Sequence, residues 1–138
     1  AVIHSVDSVE LAVQIERIAG ELGLKPEILL QVNVARDEAK FGLAVEGLEH
    51  IVVEVAQLER VELKGLMTVP AFDSDPEKVR PHFAALRKLR DQLIALTGVE
   101  LSELSMGMSH DFRAAIEEGA TQIRVGSSIF GQRDYYRR

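Results

Sequence analysis

The 138-residue chain has no cysteine. That excludes a disulfide framework and any thiolate site, and it fits a reducing, cytoplasmic setting. Basic residues are scarce: 16 Lys and Arg stand against 22 Asp and Glu, a formal charge of −6. A general nucleic-acid or anionic-membrane surface is therefore not expected. No apolar run is long enough to span a bilayer, and no signal peptide opens the chain. No methionine stands at position 1, and "AVIHS" begins directly in an apolar run, which reads as the interior of a longer protein. His4, His50, His82 and His110 show no metal-ligand spacing. No nucleophile elbow, Walker loop or GxGxxG motif is present. No residue is assigned a catalytic or metal-binding role.

What the chain does have is regular alternation. "AVIHS" reads as a strand, and Asp7 with Glu10 as the capping box of a helix with Leu11, Ile15, Ile18 and Leu22 on its apolar stripe. Gly23 is its natural stop. "EILLQVNV" is a short, continuously apolar strand. Val45, Leu48, Val52, Val55 and Leu58 mark a second helix, and "VELKGLMTV" a third strand. Asp75 is the expected N-cap of a long helix, with Pro76 at its first position and Val79, Phe83, Leu86, Leu89 and Leu93 buried. "VELSELSMG", a helix from His110 to Glu118, and "QIRVG" complete the order. Strict βα alternation predicts a parallel sheet. Two architectures fit: an open doubly wound sheet, or part of a (β/α)8 barrel, which takes about 250 residues when complete.

Ligands of such folds bind at the carboxyl ends of the strands. There the sequence places Ser5, Asp7 and Ser8; Asn33; Met67, Thr68 and Pro70; Ser105 to Ser109; and Gly126 to Ser128. The set is rich in hydroxyls and glycine and poor in acids and histidine, which suits an anion held by neutral donors. In "SMGMS", Gly107 lets a ligand approach the backbone and Ser109 caps the next helix, whose first N–H groups favour an anion. In "RVGSS", Gly126 and Ser127 repeat the device. Either segment alone reads more readily as a plain cap or turn; together, at consecutive strand ends, they read as a phosphate cup. Arg124 interrupts an apolar strand and needs an acceptor, either a core carboxylate such as Glu103 or a ligand. Among Lys25, Lys40, Lys64, Lys78 and Lys88, only Lys64 falls on a strand, far from its carboxyl end. None reads as a nucleophile.

"IHSVDS", "LLQVNVARDEAKFG", "LKGLMTVP", "LSMGMSHDFRAAIEEGAT" and "IRVGSSIFGQRDY" together resemble the YggS-like (PROSC-like) pyridoxal phosphate homeostasis family, across essentially the whole chain. The resemblance implies a (β/α)8 TIM barrel of the alanine racemase N-terminal-domain type. It implies binding of pyridoxal 5′-phosphate for buffering or supply, with no established catalysis. It implies a phosphate held by Met106, Gly107, Ser109, Gly126 and Ser127. Arg124 then faces the pyridine nitrogen, and Asn33 and Met67 line the pocket. The family's cofactor lysine, in a "VSK" context, and its "GENY" and "HFIGxLQ" segments do not occur here; Lys40 matches only a loop lysine. The expectation is that residues 1–138 are the C-terminal half-barrel, strands four to eight, without the Schiff-base lysine. Its open strand edges and bared inner face would drive self-association or pairing with the missing half. The competing readings are a racemase or decarboxylase of the same fold and an inactive, excised half-barrel.

Overall fold

The computed structural model describes residues 3–34, 42–69, 74–108 and 111–124. Nine elements alternate along them: β1 (Ile3–Val6), α1 (Val9–Leu22), β2 (Glu27–Gln31), α2 (Leu48–Ala56), β3 (Glu62–Met67), α3 (Pro76–Thr97), β4 (Glu103–Met108), α4 (Phe112–Glu117) and β5 (Gln122–Arg124). All strand pairs are parallel and the sheet order is β1-β2-β3-β4-β5. That order decides between the two architectures. A doubly wound sheet reverses its strand order at a switch point. A sheet that adds every strand on the same side is a section of barrel wall.

Local chemistry explains where most helices begin and end. Asp75 adopts an extended backbone and its carboxylate accepts from Glu77 N at 3.0 Å, with Pro76 following. Gly98 closes α3 in the left-handed region, φ 73°. At α1 the cap is Ser8, not Asp7: Ser8 Oγ accepts from Leu11 N at 3.0 Å. Gly23 ends α1 as expected. The stripe expected on α1 is only half buried. Ala12 and Ala19 lie in the core with Leu11 and Ile15 against it, while Ile18 and Leu22 are exposed. The last helix starts at Phe112 rather than His110, because Asp111 turns its side chain back toward β4.

One cluster forms the core between sheet and helices. Ile28, Leu30, Leu66, Leu104 and Met106 on the strands pack with Val52, Phe83, Leu86 and Ala114 on the helices. Leu29, Met67 and Ser105 are equally buried, yet Leu29 and Met67 stand outside that cluster. Alternation along β2, β3 and β4 puts them on the opposite face, the barrel interior. The expectation of a bared inner face therefore fails at these three positions, which one chain already buries. Of the described strands, β1 and β5 remain the outer two.

β3 carries an irregularity that matters for packing, and the β4–β5 register shifts as well, between Ser105 and Met108. Between Ile28 and Leu29 the β2–β3 register shifts, so that Ile28 pairs Leu63 and Leu29 pairs Gly65. The bulge turns the Cβ direction of Gly65 straight at the backbone of Glu103 on β4.

Candidate functional site

The strand register builds an interior row across the sheet: Gln31 pairs Met67, Met67 pairs Ser105, and Ser105 pairs Gln122. Ser105 is fully buried, and its Oγ and Gln122 Oε1 are both buried without a hydrogen-bond partner among the described residues. Such groups cost free energy unless something satisfies them. Gln122 Nε2 is anchored, donating to Glu103 Oε1 at 3.2 Å, and Thr121 Oγ1 donates to the same oxygen at 2.9 Å. Glu103 is thus engaged at the amino end of β4. Arg124 pairs with Met108 at the other end of β4, about 13 Å away along the sheet at the usual strand rise, the register shift between Ser105 and Met108 counted. Glu103 is therefore badly placed to be the acceptor of Arg124.

At the carboxyl ends, polar groups knit the strands together. Thr68 is 3% exposed; its Oγ1 donates to Val32 O at 2.9 Å and its N–H to Ser105 O at 3.1 Å. Asn33 N–H donates to Leu43 O at 2.9 Å, tying the end of β2 to the chain that returns toward α2. Between β4 and α4, Asp111 Oδ1 accepts from Met108 N at 2.7 Å, and Asp111 N–H donates to Met108 O at 3.1 Å.

Gly107 has φ 102°, and a Cβ built on it would sit 2.6 Å from Ala115 Cβ and 3.3 Å from Ile123 Cγ2. Its missing side chain makes room for α4. Met106 belongs to the helix-side core. Its side chain is turned away from the interior face, which leaves only its backbone for a ligand. Met67 is on the interior face, and Asn33 lies two residues beyond the end of β2. Ser109, Gly126, Ser127 and the side chain of Arg124 lie outside the described residues; the backbone of Arg124 is the last residue of β5. The sequence reading did not single out Gln122 or Asp111, and it placed Ser105 only among the strand-end residues without marking its hydroxyl as buried. The signals available were a serine inside the apolar "ELSMGM" and a glutamine two residues before Arg124, on the same strand face.

Two other features carry no site. A cavity of about 400 Å³ is lined by Pro76, Glu77, Arg80, Asp111, Phe112 and Arg113, among others. Its Arg80 is already held by Glu77 at 2.8 Å, Glu117 at 2.7 Å and Glu118 at 3.2 Å. Those hydrogen bonds raise its already high pKa, and the three carboxylates offset the charge that an anion would seek. Lys64 is paired with Glu62 at 3.2 Å, and that hydrogen bond, Glu62's charge adding to it, raises the amine's pKa, the opposite of what a nucleophilic lysine needs. Among the described residues no group of His, Asp and Glu could hold a metal ion. No described helix is long and apolar enough to cross a membrane.

Comparison with known proteins places this geometry. Residues 1–134 match the family described as "Alanine racemase, N-terminal domain". The chain belongs to that family. Within it the resemblance to the pyridoxal phosphate homeostasis proteins holds. The chain is 45% identical over 133 residues to the pyridoxal phosphate homeostasis protein of Aquifex aeolicus, covering 96% of itself and 58% of that protein. It matches the structure of PipY from Synechococcus elongatus, solved with PLP bound, at TM-score 0.83 and 40% identity, over 93% of this chain and 59% of PipY. An alanine racemase of Clostridium difficile matches at TM-score 0.70 and 22% identity, over 89% of this chain and 34% of the racemase, a likeness of fold alone. The chain thus spans a little over half the length of the homeostasis relatives, and its sheet is part of a (β/α)8 barrel of the alanine racemase N-terminal-domain type.

Proposed function

We propose that this chain is the phosphate-holding part of a barrel that binds pyridoxal 5′-phosphate and serves to buffer and supply it, without catalysing a reaction of its own. The observation that carries the reading is the match to PipY, a structure with PLP bound, over 93% of this chain at 40% identity. The residues present fit the group. The strand ends offer hydroxyl and amide donors rather than acids, and the interior row holds two buried polar atoms, Ser105 Oγ and Gln122 Oε1, that lack partners among the described residues. Ser109, Gly126 and Ser127, with the backbone of Met106 and Gly107, are the proposed phosphate ligands, and Asn33 and Met67 the pocket lining.

Bound pyridoxal phosphate supplies an aldehyde and a pyridine ring able to withdraw electrons. Arg124 is proposed to donate to the ring nitrogen. A guanidinium keeps its proton throughout, so the nitrogen stays unprotonated and the ring withdraws weakly. That suits holding and releasing a cofactor rather than driving chemistry on it. The test is a titration of the intact protein with pyridoxal phosphate, followed by absorbance. Saturable binding is expected, with Arg124→Glu weakening it at least about tenfold and altering the bound spectrum, since it replaces an attractive charge by a repulsive one. No saturable binding would overturn the reading; an unchanged variant would remove Arg124 from it.

The present residues are proposed to be the C-terminal half of the barrel, completed through the outer strands β1 and β5 by the remaining length of the protein or by a second copy. Light scattering on the 138-residue chain should report a species heavier than 15.3 kDa. A stable monomer would contradict the pairing.

A further inference from the structure

We infer that Ser105 Oγ and Gln122 Oε1 form a polar subsite on the barrel-interior face of the sheet, which receives the ring hydroxyl of pyridoxal phosphate and makes the site specific for it. The inference rests on the cofactor reading above and deepens it.

Ser105 pairs Gln122 on one side and Met67 on the other, and Met67 pairs Gln31. Gln31 and Met67 are the last residues of β2 and β3. The row therefore lies at the level where ligands of such barrels bind. Ser105 is fully buried, and neither its Oγ nor Gln122 Oε1 has a hydrogen-bond partner among the described residues, each other included. The orientation of the amide is set from below. Its Nε2 donates to Glu103 Oε1 at 3.2 Å, and Thr121 Oγ1 holds the same oxygen at 2.9 Å. Glu103 Oε1 accepts, so it takes the amide nitrogen and leaves Oε1 of Gln122 turned away from it. Buried polar atoms without partners destabilise a fold. A ligand that pairs both atoms removes that penalty on binding.

The chemistry of the two atoms selects the group they take. Gln122 Oε1 only accepts, and a serine hydroxyl both donates and accepts. Side by side they fit a hydroxyl, which donates to Oε1 and accepts from Oγ. Pyridoxal phosphate carries one such group, on its ring. Its aldehyde oxygen only accepts, and so does its ring nitrogen in the unprotonated form assigned above. Its phosphate belongs to the strand ends after β4 and β5. The ring hydroxyl is what remains to complement both atoms. An acceptor facing it also favours the hydroxyl over its anion.

The test is equilibrium binding of two ligands to the intact protein: pyridoxal phosphate, and 3-deoxypyridoxal phosphate, which lacks only the ring hydroxyl. The wild type should prefer pyridoxal phosphate by at least about tenfold, because the analogue leaves both buried atoms unpaired. Ser105→Ala and Gln122→Met each delete one of those atoms with little change of volume. In each variant the preference should shrink by at least about fivefold, chiefly through weaker binding of pyridoxal phosphate. The change of preference is the readout, since any intrinsic difference between the two ligands cancels from it. A merely structural pair would move both ligands together. A preference unchanged from wild type in either variant overturns the inference, whatever happens to overall affinity. If Gln122→Met does not fold, Ser105→Ala decides alone. Saturable binding of pyridoxal phosphate with an unchanged preference removes the subsite and leaves the cofactor reading standing. A wild-type protein that shows no saturable binding overturns the cofactor reading itself, and this inference with it.

Discussion

Gly65→Ala should cost this protein at least about 3 kcal/mol of stability, well above the usual effect of adding one methyl group. The substitution is minimal and the obstacle is backbone. A Cβ at position 65 would overlap the carbonyl oxygen of Glu103 and lie 2.6 Å from its carbonyl carbon and 2.9 Å from its nitrogen. None of these atoms can rotate away as a side chain would. β3 and β4 would have to separate where Gly65 pairs Glu103, and the neighbouring pairs Leu66–Leu104 and Met67–Ser105 would follow. These strands lie in the middle of the sheet, so the loss cannot be confined to an edge. Gly98 supplies the control. It has φ 73° with nothing within 4 Å of an added Cβ, so Gly98→Ala meets only backbone strain, about 1 kcal/mol. Thermal unfolding of both variants reads the difference. A Gly65→Ala midpoint no lower than that of Gly98→Ala would show that β3 and β4 are not packed as described.

Nothing in "LKGLM" announces that constraint. Gly65 matters because the β2–β3 register slips at Ile28, and a slip is a property of two strands at once. The same division runs through the whole chain. Asp75, Pro76, Gly98 and the buried series Val79, Phe83 and Leu86 were legible because capping and helical period act within a few residues. Asp7 and Ser8 are both capping residues; only the observed backbone makes Ser8 the cap. Ile18 and Leu22 keep helical period yet stay exposed, because period marks an apolar stripe and only neighbours bury it.

The alternation of strands and helices was legible, and the resemblance pointed to a barrel. The choice against an open sheet, as a matter of structure, came from strand order, which no single segment encodes. At the site, residue types suggested a phosphate cup, but the face of each residue follows strand parity and packing. Met106 and Ser105 are neighbours in sequence on opposite faces of β4, so the Met106 side chain packs in the helix-side core and only its backbone can serve a ligand. Gly107 looked like a ligand-approach glycine; Ala115, eight residues on, is what occupies the space.

The central claim is that this chain supplies the phosphate-holding end of a cofactor barrel. It is tested most directly by comparing pyridoxal phosphate with pyridoxal as ligands of the intact protein, by competition at equilibrium. The two share the ring and the aldehyde, so any attachment or ring contact supplied by the rest of the barrel is common to both. They differ in the group assigned to the strand ends after β4 and β5. Several charge-assisted hydrogen bonds from N–H and hydroxyl donors, each contributing about 1.5–3 kcal/mol, predict a preference of at least about a hundredfold for the phosphorylated form. Equal affinity for the two ligands would mean that no phosphate cup exists in this chain, and would contradict the account.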